Sequence, residues 1–262
     1  MSDHPKMPIE PELGELTLDR LTHDVWLWQR KKGHRFSADD VVTTWVAVTQ
    51  APHSKRVLDL GCGIGSVLLH LAWSLPEAQL VGIEAQAISH GLARRNIAHN
   101  QLEARVVAHC GDLRELAPEG GRTLPGAFDR FDLITGTPPY FPVDTALEAE
   151  DAQRAYARIE YRGGVEAYIE TGAKLLASDG RFVLCGDARA EERVLAAVRS
   201  TGLHLVARTS VVARAPNPPL FAVWTLALMP VAEVASTTLT LRDKAGDRTA
   251  EAGVLRAFSG IP

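Results

Sequence analysis

The sequence predicts an α/β fold: a mostly parallel sheet of seven strands with helices on both faces, ending in an antiparallel hairpin. Three observations predict it. Short, continuously apolar runs such as "RVLDLG" (56–61) and "RFDLITG" (130–136) alternate with helix-like segments, the pattern of strands buried on both faces. A glycine-rich turn, "GCGIG", joins the first of these strands to its helix. The last two strand-like runs, "LHLVARTSVVA" and "LFAVWTLALMP", are separated only by "RAPNPP", and so short a link joins antiparallel strands, because a parallel crossover needs about a dozen residues.

The elements follow in order. Residues 1–15 have no apolar core and read as a disordered leader rather than a signal peptide. "LTLDRLTHDVWLWQRKKG" (16–33) reads as two short strands in a hairpin. "FSADDVVTTWVAVTQA" (36–51) is a helix opened by Ser37 and the acidic pair Asp39 and Asp40. After strand 56–61 come helix 66–75, stopped by Pro76, strand 78–85, helix 87–100, and strands 104–112 and 130–136. Helix 163–177, strand 180–186 and helix 188–201 precede the terminal hairpin. The tail "STTLTLRDKAGDRTAEAGVLRAF" adds a strand and a short helix. The expected organisation is a leader (1–15), an amino-terminal cap of hairpin and helix (16–52), the main domain (53–235) and its extension (236–262). The segment after "GTPPYFP" is charged and poorly periodic, and no element is predicted there.

Composition narrows the classes. The 262 residues carry a formal charge of −4, which argues against a broad nucleic-acid footprint and leaves only a local one. The one basic cluster is "QRKKGHR" (29–35). Cys62, Cys110 and Cys185 are widely spaced and odd in number, as expected of reduced thiols in a cytosolic protein, and no C-x-x-C pair suggests a metal. The longest apolar run has about 13 residues and contains a proline, too short to span a bilayer. These features predict a soluble, cytoplasmic protein without a metal. Trp26, Trp28 and Trp45 are expected to pack the cap against the core, and Arg94 and Arg95 to lie on an exposed helix face.

"VLDLGCGIGSVLL" places Asp59, Gly61, Gly63 and Gly65 at the carboxyl end of the first parallel strand, where open α/β sheets bind ligands. Ser66 breaks the G-x-G-x-x-G dinucleotide pattern, and the Gly-Lys-Ser/Thr ending of a phosphate loop is missing. Glu84 closes the next strand, about 20 residues on, where an acid can hold both ribose hydroxyls. Asp112 closes the strand after that and suits an adenine amino group, with Leu113 beside it. A cofactor with a ribose and an adenine but no phosphate fits the set, and S-adenosylmethionine is such a molecule.

With the terminal hairpin, these residues resemble the class I S-adenosylmethionine-dependent methyltransferases, a Rossmann-like fold, across about residues 36–230. In a group of those enzymes the fourth strand ends in Asn, Asp or Ser followed by Pro-Pro and an aromatic. Here the tetrapeptide is Thr137-Pro138-Pro139-Tyr140. The resemblance implies methylation of a planar nitrogen, a poor nucleophile because its lone pair is delocalised. Thr137 and the Pro138 carbonyl would accept its two N–H bonds, the prolines would fix those acceptors, and Tyr140 would stack on the flat substrate. Thr137 departs from the family's usual Asn.

The flanks narrow the resemblance to bacterial tRNA adenine-N6 methyltransferases. "GHRFSADDVVTTWVA" is similar to the segment before their cofactor strand, implying that Phe36 and Asp39 reach the cofactor. "AYARIEYRGG" is similar to the segment after their Asn-Pro-Pro-Tyr, which would bring Arg158 and Glu160 to the substrate side with Phe141. Lys31 and Lys32 are the candidate contacts to RNA phosphates. The implied function is N-methylation of an adenine in tRNA or other structured RNA. Two alternatives stay open: a protein side chain such as a glutamine amide, or a small metabolite, as acceptor, and a cofactor-binding protein without turnover. The acidic balance and Thr137 favour the different acceptor.

Overall fold

The computed structural model describes residues 12–116, 130–145, 147 and 149–261. Of the expected leader, residues 1–11 lie outside them. Glu15 already pairs with Lys31 through backbone and side chain, both at 2.9 Å, at the start of the antiparallel hairpin β1 (Leu16–Arg20) and β2 (Trp26–Arg30).

Helix α1 (Ala38–Gln50) follows, with Ser37 as its N-cap and the Asp40 carboxylate accepting from the Ser37 N–H at 3.0 Å. This reciprocal box satisfies amides that have no helical partner. The alternation then runs β3 (Arg56–Leu60), α2 (Ser66–Ser74), β4 (Gln79–Glu84), α3 (Ala87–His99), β5 (Val106–Cys110) and β6 (Phe131–Gly136). After β6 come α4 (Ala152–Arg158), α5 (Val165–Leu175), β7 (Leu176–Asp187), α6 (Glu191–Thr201), β8 (His204–Val212), β9 (Phe221–Ala227), β10 (Ala235–Thr240) and α7 (Ala250–Phe258).

The large sheet has the order β10-β8-β9-β7-β6-β3-β4-β5. Strands β3 to β7 are mutually parallel, while β9 runs antiparallel to both β7 and β8. The expected terminal hairpin is therefore present. Eight strands stand where seven were expected, because the tail strand β10 joins the sheet parallel to β8. Its Leu239 is buried while Ala235 to Thr238 stay exposed, so the strand expected in the tail carries little apolar signal that it would join the large sheet.

Alternate residues of the parallel strands feed two cores. Val57, Leu80 and Val183 pack with α1, α2 and α7 on one face, and Leu58, Val81, Ile134 and Phe182 pack with α5 and α6 on the other. Chain order reverses at β3, which has β4 on one side and β6 on the other, so a crevice opens beyond its carboxyl end. Helix α4 has no counterpart in the sequence expectation. It spans only two turns, is capped by Asp151, and buries Gln153 and Ala155, too little apolar periodicity to stand out.

The hairpin is fastened to α3 by two asparagines one turn apart. Asn96 takes the Trp28 N–H at 2.7 Å and donates to the Trp28 carbonyl at 3.0 Å, and Asn100 does the same at Trp26, at 3.0 and 2.8 Å. The side chains thus replace a neighbouring strand along this edge. Of the three tryptophans expected in the interface, Trp45 packs on the core and Trp28 lies half-buried under the Arg95 guanidinium, 4.6 Å from the ring centroid. Trp26 is exposed. Among the described residues no helix is long and apolar enough to cross a membrane.

His70 of α2 is buried between Phe258, at 5.0 Å between ring centroids, and Trp73, at 6.1 Å, and neither of its ring nitrogens has a partner. Burial pushes its pKa down from 6.5 to about 4. Between these values the unfolded chain binds the proton and the native state does not, so stability falls as pH drops through that window. Asp59, whose pKa burial raises, contributes with the opposite sign, so the comparison must be between variants. We expect acidification from pH 6.5 to 4 to cost His70→Leu less unfolding free energy than it costs the parent, by about 3 kcal/mol, read from urea denaturation at the two pH values.

Candidate active site

The loop leaving β3 turns at three glycines with positive φ: Gly61 at 63°, Gly63 at 55° and Gly65 at 89°. Each is glycine for a different reason. A Cβ at Gly61 would overlap the hydroxyl of Tyr168, a buried α5 residue packed beneath the loop. At Gly63 a Cβ would meet nothing within 4 Å, so this backbone faces open space into which a ligand fits. Gly65 is the N-cap of α2 and is turned toward Leu69 and Ala93.

Carboxyls collect around this loop. Glu84 is buried and accepts from the Gly63 N–H at 2.9 Å and the Gln86 N–H at 2.6 Å. Burial nevertheless raises its pKa, against those bonds. Asp59, 2% exposed, accepts from the Thr135 hydroxyl at 2.8 Å through Oδ1, while its Oδ2 is buried without a hydrogen-bond partner. Burial pushes its pKa up to about 7, with the Glu84 charge adding to the rise and the Thr135 bond opposing it. Asp40 is raised by burial and then by the charge of Asp39. Asp112 is lowered, first through its hydrogen bond to Arg114, whose guanidinium engages both of its oxygens at 2.9 and 2.6 Å.

These groups line one depression. Phe36, Asp59, Gly61, Gly63, Glu84, Asp112, Leu113 and Thr137, all expected at a cofactor, lie along it. Gly65 and Asp39 do not. Asp40 stands in the wall instead, together with Ser66, Gln86, Tyr156, Arg162 and Tyr168, none of which the sequence reading selected as cofactor contacts. The Ser37-x-x-Asp40 capping spacing was the signal available for Asp40.

A second depression adjoins the first. Thr137, Phe36, His34, Asp40 and Ala157 line both. Its other walls carry Pro138, Tyr140, Phe141 and Asp39, with Lys31, Lys32, Arg35, Arg154 and Arg158 around them. All five expected substrate contacts, Tyr140, Phe141, Arg158, Lys31 and Lys32, are therefore brought together. Pro139 lies on the first side. Glu160, expected near the substrate, instead holds Arg193 at 2.9 Å. Tyr140 is half-buried, and its hydroxyl donates to Asp39 at 3.0 Å and meets the Cys185 thiol at 3.0 Å. Burial, Cys185 and Asp39 together push its pKa well up, so it remains a neutral phenol. Burial lowers the pKa of His34, with the charges of Arg154 and Arg158 adding to the effect and that of Asp39 opposing it.

Residues 36–142 match the methyltransferase small domain. The tRNA1(Val) (adenine(37)-N6)-methyltransferase of Bacteroides thetaiotaomicron is 30% identical over 195 residues, covering 74% of this chain and 76% of that enzyme. The chain belongs to this methyltransferase family. The enzyme of the same description from Porphyromonas gingivalis is 38% identical over 130 residues, covering 50% of this chain and 49% of that protein. With the Porphyromonas and Yersinia relatives, the match spans about half of each relative's length. Among solved structures, a predicted O-methyltransferase from Agrobacterium tumefaciens superposes with a TM-score of 0.61 at 18% identity, covering 86% of this chain and 97% of that one, a likeness of fold. S-adenosylmethionine is the methyl donor of this methyltransferase family.

The residues present fit that donor. The depression offers an unpartnered buried carboxylate oxygen on Asp59, an acid at the second strand end in Glu84, and open backbone at Gly63, a set that suits a cationic nucleoside without phosphate. Gly61 makes the geometry testable. Gly61→Ala is expected to lower the melting temperature and weaken S-adenosylmethionine binding at least tenfold by calorimetry, through both the positive φ and the Tyr168 overlap. Adding Tyr168→Phe removes the overlapping hydroxyl and is expected to restore part of both losses, leaving the φ strain.

Proposed function

We propose that this chain methylates the exocyclic N6 amine of an adenine in tRNA or another structured RNA. The observation that carries the reading is the meeting of the two depressions at Thr137: carboxyls and open glycine backbone line one side, aromatic rings and cations the other. When bound, S-adenosylmethionine supplies a methyl group on a positively charged sulfur. In this reading Asp59 and Glu84 take its amine and ribose ends, and Leu113 and Asp112 take its base. Because Arg114 already engages both Asp112 oxygens, an adenine amino group would share one of them.

On the other side, Thr137 Oγ1 and the Pro138 carbonyl accept the two N–H bonds of the target amine and aim its nitrogen at the first depression. Pro138 and Pro139 hold those acceptors with locked φ. Tyr140 supplies a ring of fixed orientation, since Asp39 and Cys185 anchor its hydroxyl. Such an anchored ring can stack a turned-out base at little entropic cost. As the N–C bond forms and the methyl's bond to sulfur breaks, with that electron pair going to the sulfur of a departing neutral thioether, the nitrogen gains positive charge, which the two acceptors favour, and its surplus proton passes to water. The names of the tRNA-modifying relatives support RNA as the acceptor, as does the basic rim.

Transfer of radiolabelled methyl into total RNA, total protein and a small-molecule extract tests the reading. Label is expected in RNA, as N6-methyladenine after digestion. Label confined to protein or small molecules would overturn the acceptor assignment, and no transfer to any fraction would overturn catalysis. Thr137→Ala is expected to lower kcat by about 10²-fold, the scale for losing one contact that strengthens in the transition state. Thr137→Asn should keep most of the activity, and Tyr140→Ala should lower kcat/KM. Unchanged turnover in both alanine variants would sink the platform assignment.

A further inference from the structure

We propose that α4 is a phosphate-gripping arm: Arg154 and Arg158 on it, with Lys32 in the lining of the same depression, bind the RNA phosphodiesters flanking the nucleotide presented to Thr137. The inference rests on the RNA reading above and adds which charges meet the backbone.

Five cations line the depression, and they are not equivalent. Lys31 is paired with Glu15 at 2.9 Å and Arg35 with Asp19 at 2.9 Å, so much of their charge is already balanced within the hairpin region. Among the described residues, Lys32, Arg154 and Arg158 have no carboxylate within ion-pair distance. Asp39, which holds the Tyr140 hydroxyl, and Asp40 also line this cavity; in a chain with a formal charge of −4, three cations free of ion pairs outnumber these two acids and leave a positive balance where a polyanion would enter.

Arg154 and Arg158 are one helical turn apart and share a face of α4. The Arg158 guanidinium lies over Phe141, 5.3 Å from the ring centroid, a contact that steadies its planar donors while leaving them able to reach two phosphate oxygens. Lys32 lines the same depression from the turn after β2. A strand passing over these cations would keep its sugar–phosphate beside them, with its base directed to Thr137, Pro138 and Tyr140, which line the same depression. An unpaired or turned-out nucleotide has the freedom for that pose.

The arm is fixed in advance. Gln153 is 2% exposed; its side chain donates to Ser89 at 3.1 Å and accepts from the His34 N–H at 3.3 Å. Asp151 caps α4 and takes Arg30 at 2.7 Å. Gly33 is required for this packing, since a Cβ there would overlap Gln153 Oε1. Two arginines on a helix so pinned lose less freedom on binding than they would on a loose segment.

The test is binding of a labelled tRNA transcript followed by fluorescence anisotropy across a salt series. Arg154→Gln/Arg158→Gln is expected to weaken binding at least tenfold at low salt and to reduce the slope of log K against log salt by about 1.5 to 2; Lys32→Gln should reduce it by about 1. The Arg154→Lys/Arg158→Lys pair should keep the slope, because it keeps both charges, and S-adenosylmethionine calorimetry on each variant reports an intact fold. Arg199→Gln, on an exposed α6 position lining neither depression, is the comparison. If the wild-type chain binds RNA and the glutamine pair matches Arg199→Gln in affinity and slope, the arm is wrong and the RNA reading stands. If the wild-type chain shows no salt-dependent RNA binding, both are overturned.

Discussion

Carboxyls buried at the ends of parallel strands are the constraint on which the rest of this molecule turns. Asp59 and Glu84 close adjacent strands, where the sheet excludes water and ionised groups are costly. The fold compensates only in part: Glu84 has two backbone donors and Asp59 one hydroxyl, and the pKa values of both are still raised. A cavity that keeps unbalanced acids has a strong preference for a cationic ligand. The glycine loop, the buried Tyr168 and the placement of α1 with Asp40 then follow as ways to shape backbone around those acids without covering them.

Beyond the sheet, the site depends on side-chain hydrogen bonds that span long sequence separations. Asn96 ties the hairpin to α3 and donates to the Ile64 carbonyl at 2.9 Å, joining the cap to the glycine loop. Gln153 ties α4 to α3 and to the turn after the hairpin. The walls of the second depression are thus braced against the helix that follows β4, and a change at either side chain would be felt on both sides of Thr137. Buried polar connections of this kind specify one arrangement, because an unmade bond in them costs more than a made one contributes.

The sheet was legible because strands buried on both faces are written as unbroken apolar runs, and the terminal hairpin because six residues cannot cross over. Helix α4 was not legible, since two turns with Gln153 as a buried anchor carry no amphipathic signature. Nor could spacing tell which of Asp39 and Asp40 enters the first depression. Successive residues on a helix point about 100° apart, so the pair divides: Asp40 lies in the first wall, while Asp39 holds the Tyr140 hydroxyl. Tyr168 is invisible for a different reason. Its role beneath Gly61 arises from packing between α5 and a loop far away in the chain, which no local pattern records.

The acidic balance of the chain, which in the sequence weighed against a polyanionic acceptor, carries a different meaning once the charges are placed. Asp59 and Glu84 lie at the first depression, Asp40 lines both and Asp39 the second, where Glu15 and Asp19 neutralise two of the five cations. Net charge averages over both depressions, whereas recognition at moderate salt is governed by charges within about 10 Å of the contact. Unequal charge balances on the two sides of Thr137, with acids prevailing at the first depression and cations at the second, suit the proposed reaction, which joins a cationic donor to a base on an anionic strand. They also oppose entry of either ligand into the wrong half, a discrimination that needs no contact with the base itself.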